Sequence, residues 1–346
     1  ALAGIVAAAA AQPTGLGRSP MNPTPNGPHA ARPTAHAITN ATVFVRPGEV
    51  LENATVRFED GRITSVRVDG DADGAQVHDG TGLYVYAAFV DAFVEVDAPK
   101  PDADAPGTHW NSMTTPERHV LHGEGAGEKL RESLRSQGFA TAGLAPKGGV
   151  VRGRGAVMGL GEPAGRASEQ VSAVYRADGV HVLGFDTGSW RAGTYPTSVI
   201  GAVALQRQAL IDAAWQADMR EAGETMPANS LDALADDALI FFDCEQAGMA
   251  VLAHRTLEEA GRLGVLVGSG RELERLDSVV NTGRPIVLPV VYPDAPDVFT
   301  PGAADAVELR ELMMWEQAAT TARRLHAEGA SVALTTHRLE SRKDFL

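Results

Sequence analysis

The chain has 346 residues, 44% of them hydrophobic, which is enough to bury a large core and to build two domains or one large barrel with an accessory module. Its 30 basic and 44 acidic side chains leave a formal charge of −14, and aromatic residues make up 5%, which argues against a nucleic-acid surface, an anionic-membrane surface or a base-stacking platform. Its one cysteine, Cys244, excludes an internal disulfide and any cysteine-rich zinc or iron–sulfur site.

The opening run ALAGIVAAAAA is about half the length of a membrane span, so no membrane span is expected there. It matches the end of a signal-peptide core with an Ala-x-Ala cleavage site, and export to the periplasm or the cell exterior is expected; an alanine-rich helical stub is the alternative. Pro13, Pro20, Pro23, Pro25, Pro28 and Pro33 follow among polar residues, so residues 1–35 read as a leader remnant and a disordered linker. At the other end, SVALTTHRLESRKDFL reads as a buried strand running into a loop or helix start. No tail composition follows, and the natural protein is expected to continue.

Residues 36–82 read as a small β module. AITNATVFV and ATVRFEDGRITSVRV alternate apolar and polar positions, and Asp60-Gly61 is a hairpin signal. A third short strand, AQVHDGTG, ends in another Asp-Gly turn at Asp79-Gly80. From residue 83 the pattern changes. LYVYAAFVDAFVEV, FATAGLAP, VHVLGFD, ALIFFDCE, GVLVG, PIVLPVV and SVALTT are continuous apolar strands, suited to a sheet covered on both faces. Helical patterns fall at residues 125–137, 198–221, 248–263, 270–282 and 306–328. Gly138 suits a helix end, while Gly261 is an awkward interior residue. Strand–helix alternation of this kind means α/β, either a (β/α) barrel or a doubly wound sheet, with seven barrel strands visible over residues 83–346.

The order of a small β module, a glycine turn and then Y-x-x-F-V-D at Tyr86–Asp91 resembles the amidohydrolase superfamily. Blocks at residues 109–111, 129–161, 285–298 and 329–345 resemble one branch of it, long exported bacterial proteins with two tandem amidohydrolase-like halves, of which this chain would be the first. The resemblance implies a β-sandwich-like composite module beside an incomplete TIM-like (β/α) barrel. It implies a hydrolase acting on amide, cyclic-amide or peptide C–N bonds, zinc or another divalent metal in the full protein, and the C-terminal remainder of that protein as partner.

The metal motif itself is missing. Two imidazoles spaced by two on one strand share a face and a metal, but here the equivalent positions are Phe93 and Glu95. Phenylalanine ligates nothing. The late strand ends in His337, whose equivalence to the family's last-strand ligand is open. No metal is therefore expected in this segment, and no residue is assigned a catalytic role. Asp91, His109, Trp110 and Asn111 are candidate pocket-lining residues, the last three equally readable as a loop anchor. His119 and His122 read as a solvated loop or first helical turn, the glycines of GGVVRGRG as a tight turn region, and Cys244 as a buried small residue. Asp243 and Glu245 stand at a strand end, as site carboxylates or helix caps. Three functions stay open: a non-catalytic module of a larger hydrolase, a hydrolase using Glu95, His337 and a strand-end carboxylate, or a periplasmic binding or scaffold module.

Overall fold

A computed structural model describes residues 35–59, 61–161, 174–189 and 193–345. Of the leader and linker expected over residues 1–35, residues 1–34 lie outside the described residues, and Ala35 is the buried first residue of a strand, not part of a linker. The chain divides into two compact units, Ala1–Ala88 and Phe89–Leu346.

In the first unit, β1 (Ala35–Arg46), β2 (Glu49–Glu59) and β3 (Arg62–Val68) form an antiparallel meander, and β4 (Gln76–Asp79) and β5 (Tyr84–Tyr86) run parallel to β1. Gly61, at φ +76°, turns the Asp-Gly hairpin between β2 and β3. Inward positions of β1 and β2 (Ala41, Val43, Ala54 and Val56) make the small core. The apolar run that begins at Leu83 is not one strand. Tyr84–Tyr86 pairs with β1, and the chain leaves the ladder at Ala87 and Ala88, so the division falls six residues beyond the sequence switch.

The second unit contains all seven apolar runs as strands: β6 (Phe89–Val96), β7 (Phe139–Pro146), β11 (Val180–Gly184), β12 (Leu239–Asp243), β13 (Gly264–Val267), β14 (Ile286–Pro289) and β15 (Val332–Thr335). Neighbours within β11 to β15 are parallel, as are β6 and β7. A closed ring is not what forms among the described residues. The far edge of β7 is taken by antiparallel β9 (Ala156–Gly159), which pairs in turn with β10 (Val174–Arg176), and the free edge of β11 by antiparallel β8 (Val151–Arg154). The parallel strands therefore fall into two sheets, a mixed α/β arrangement in place of a hydrogen-bonded barrel.

Helices follow the strands as the spacing predicts. The longest, α2 (Val199–Glu221), starts where the Ser198 hydroxyl accepts from the Gly201 N–H. It buries Ala202, Leu205, Ala209 and Ala213 at helical intervals against the core. Helix α3 (Ala247–Glu259) is shorter than the pattern at residues 248–263: Gly261, at φ +64°, follows its C-cap, as Gly138, at φ +84°, follows α1 (Glu128–Ser136). The segment 306–328 breaks into α6 (Leu309–Gln317), a short 3-10 turn and α7 (Thr321–Ala327).

Candidate active-site face: a carboxylate cluster around an arginine

In a parallel sheet every strand ends on the same side, and loops there build sites. Side chains at the ends of β6, β12 and β15 meet in the second unit: donor atoms of Glu95, Asp243 and His337 all lie within 4.8 Å of one another. These are the two residues singled out from the degenerate motif, Glu95 and His337, with a strand-end carboxylate between them. This is the set that the second reading of the sequence named, with Asp243 as its strand-end carboxylate.

The centre of the cluster is Arg152, in the middle of β8 and 2% exposed. One guanidinium nitrogen, Nη1, lies 2.9 Å from Glu95 Oε1 and 3.0 Å from Asp243 Oδ2, and Nη2 lies 3.2 Å from Asp186 Oδ1. Its Nε donates to the Gly149 carbonyl at 3.2 Å. The plane of this guanidinium fits against Gly184, where any Cβ would stand 2.5 Å from Nη2, so only glycine leaves the room. Burial alone lowers the Arg152 pKa, but Asp243, Asp186 and Glu95 outweigh it and hold the group charged. Arg338 adds a second cation, Nη2 to Asp243 Oδ1 at 2.6 Å. His337 places Nε2 3.5 Å from Asp243 Oδ1 and Nδ1 4.0 Å from Glu95 Oε2, and its ring meets Phe93 edge-on. Burial raises the Asp243 carboxyl, yet the His337 contact and the Arg152 and Arg338 charges bring it down to about 2.

Two carboxylates and one imidazole are an acceptable donor set for a divalent ion. Arg152 changes the test. Its Nη1 already takes an oxygen of Glu95 and one of Asp243, and a second cation in that space would face a buried guanidinium. As arranged, Arg152 competes with a divalent ion for the oxygens of Glu95 and Asp243.

The other sequence candidates have structural work. Asp91, expected to line a pocket, is fully buried: it accepts from Thr335 Oγ1 at 2.6 Å, from Thr336 Oγ1 at 2.6 Å, and from the Thr336 and Phe93 backbone N–H groups at 3.0 and 3.2 Å. It ties β6 to β15 where no backbone ladder joins them. Asn111 is a loop anchor, its side chain donating to the Tyr195 carbonyl at 2.8 Å and accepting from the Met113 N–H at 2.8 Å. His109 accepts from the Asn111 N–H and sits beside Trp110, which is largely exposed. His119 is not solvated: it is buried, accepts from the Leu121 N–H through Nδ1 and meets the Ala177 carbonyl at 2.8 Å through Nε2. Cys244 is buried, and burial pushes its thiol up, away from nucleophilic chemistry. Sequence reasoning missed Arg152, Asp186 and Arg338. The pair of strand-end carboxylates, Asp186 after β11 and Asp243 on β12, was the one signal that a buried cation must lie near.

No protein-family model matches the sequence, and no curated protein matches it. An amidohydrolase from Thermotoga maritima shares its fold at TM-score 0.65 and 16% identity, over 88% of this chain and 79% of that one. An N-acyl-D-glutamate deacylase from Bordetella bronchiseptica, solved with zinc and a phosphonate inhibitor, overlaps at TM-score 0.34 and 14% identity, over 86% of this chain and 57% of that one. A D-hydantoinase overlaps at 0.40 and 11%, over 87% and 68%. The last two likenesses are too low to carry an argument. The first places this chain among proteins of the amidohydrolase fold.

Proposed function

We propose that this chain is the amidohydrolase-like portion of a larger exported hydrolase acting on amide or cyclic-amide C–N bonds, and that it holds no catalytic metal of its own. The observation that carries this reading is Arg152 Nη1 between Glu95 and Asp243, at 2.9 and 3.0 Å. A fixed guanidinium supplies there the positive charge that a divalent ion would otherwise bring, but it has no open coordination position to activate water. Phe93, 1% exposed, fills with a ring the position where the fold's metal motif would put an imidazole. The metal chemistry then belongs to the remainder of the protein, and this portion supports it.

The test is elemental analysis of the purified chain after dialysis against zinc, followed by a hydrolysis assay on dipeptides and hydantoins with and without chelator. The expected result is substoichiometric zinc and no chelator-sensitive turnover. Near-stoichiometric zinc with turnover that a chelator abolishes would overturn the reading and assign Glu95, Asp243 and His337 as ligands.

A further inference from the structure

A cavity of about 540 Å³ lies in the second unit, and Asp186 belongs both to its lining and to the arginine cluster. Part of its wall is apolar, from Phe185, Met249 and Val199. Its buried polar group is Arg118, 5% exposed. The Arg118 guanidinium donates only to backbone carbonyls: Nη1 to Lys147 and Gly148 at 3.1 and 3.2 Å, Nη2 to Ala98 at 3.0 Å. Its buried Nε has no hydrogen-bond partner, and no carboxylate of the described residues pairs with it.

A charge taken out of water without a counter-ion is costly, and native proteins rarely leave one so. Arg152 cannot be that case, because three carboxylates neutralise it. Asp186 does not pair with Arg118: its oxygens are turned to the Gly149 N–H at 2.7 Å and to Arg152 at 3.2 Å. Burial and the neighbouring Arg152 charge pull the Arg118 pKa down, against the opposing charges of Asp97 and Glu117, neither of which forms an ion pair with it. Exposed Lys100 adds positive charge to the same lining. Helix α3 begins there too, with Gln246 giving no side-chain cap. Asp186 and Glu245 also face the cavity, so a dianion such as phosphate would meet repulsion that a monoanion with an uncharged body largely escapes.

We propose that this cavity binds a small organic monocarboxylate, its carboxylate set against Arg118 and its apolar body against Phe185 and Met249. Guanidinium and carboxylate match in geometry, and the volume falls within the usual range of small-molecule pockets. The proposal does not depend on the metal reading, because none of the residues it uses for recognition is a candidate metal ligand.

Isothermal titration of the whole chain, in chelator, with 4-methylpentanoate, the uncharged 4-methylpentanamide and inorganic phosphate tests it. The carboxylate is expected to bind at least about tenfold more tightly than the amide, since a charge-assisted pair is lost. Phosphate should bind more weakly than the carboxylate. Arg118→Gln should weaken carboxylate binding by about tenfold or more. Because Arg118 also ties three carbonyls, Val199→Trp is the second variant: it fills the cavity from its half-buried wall, leaves every charge in place, and should abolish binding. Equal binding of carboxylate and amide, tighter binding of phosphate, no heat at about 10 mM ligand, or full binding by a folded Val199→Trp chain would each overturn the proposal.

Discussion

Asp91 and Glu95 stand four residues apart on β6, and both reach toward β15, yet the fold uses them differently. Asp91 is fully buried and is neutralised by hydroxyls and backbone N–H groups alone. Glu95 keeps about a quarter of its side chain exposed (26%) and is held by a buried guanidinium. A carboxylate met by dipoles on every side is part of the scaffold. One met by a buried cation, beside a second carboxylate and an imidazole, is a site or the remnant of one. The difference is sharpest in the charge each carboxylate depends on: Asp91 depends on none, whereas Glu95, Asp186 and Asp243 share the one buried charge of Arg152, and of the three only Asp243 has a further arginine, Arg338.

The largest effect should therefore come from Arg152→Met. Stripping the cation from a buried cluster leaves charge uncompensated and should cost about 4 kcal/mol in chemical denaturation. The same change frees oxygens of Glu95 and Asp243 beside His337, so the variant should retain zinc after dialysis and recover part of the loss when zinc is added. A variant as stable as the parent and indifferent to zinc would break the distinction between the two carboxylates.

Asp91→Asn comes next, at about 2 kcal/mol, because the amide keeps the shape but turns one acceptor oxygen into a donor facing Thr336. Zinc should have no influence on it, measured by the same unfolding curves.

Much of the fold was legible beforehand, and for a physical reason. Buried parallel strands are apolar without interruption, so all seven runs from Phe89 onward could be read, and Ser198 marked the start of α2. Closure was not legible. Whether β7 meets another parallel strand or antiparallel β9 is decided by pairing across the chain, which no local pattern encodes. The site divides in the same way. Glu95 could be named because it occupies a motif position, and His337 because it ends a late apolar strand. Arg152 sits among glycines that read as a turn, and its partners lie 57, 34 and 91 residues away. Asp91 was misread because a carboxylate within a strand looks alike in sequence whether it faces solvent or two threonines.

Acid separates the clusters more gently. Asp243 is held at about 2, below the ordinary carboxylate value of about 3.9, so its contribution is complete above about pH 4 and disappears as pH falls through about 2. The contribution is up to about 2 kcal/mol. Measured as the stability difference between the parent and Asp243→Asn, it should shrink steadily from pH 4 to pH 2 and stay flat from pH 5 to pH 7. A difference that grew on acidification would mean that Asp243 is protonated in the folded chain, and that Arg152 and Arg338 do not pair with it in solution.

The smallest effect is expected at Glu95→Gln. Arg152 keeps Asp243 and Asp186 after the change, and the new amide oxygen can still accept from Nη1. Partial exposure of the position screens what charge is lost, so the cost should be about 1 kcal/mol or less by chemical denaturation. This variant separates two accounts of the cluster. If Glu95 served only to hold β6 against β8, losing its charge would cost as much as Asp91→Asn, and Arg152 would be a structural bolt with three equal nuts. If the cluster is a metal-type face with a guanidinium at its centre, Glu95 is the dispensable partner for folding. It should then matter only in the Arg152→Met background, where Glu95→Gln removes one of the freed donors and should abolish the zinc retention that Arg152→Met alone confers.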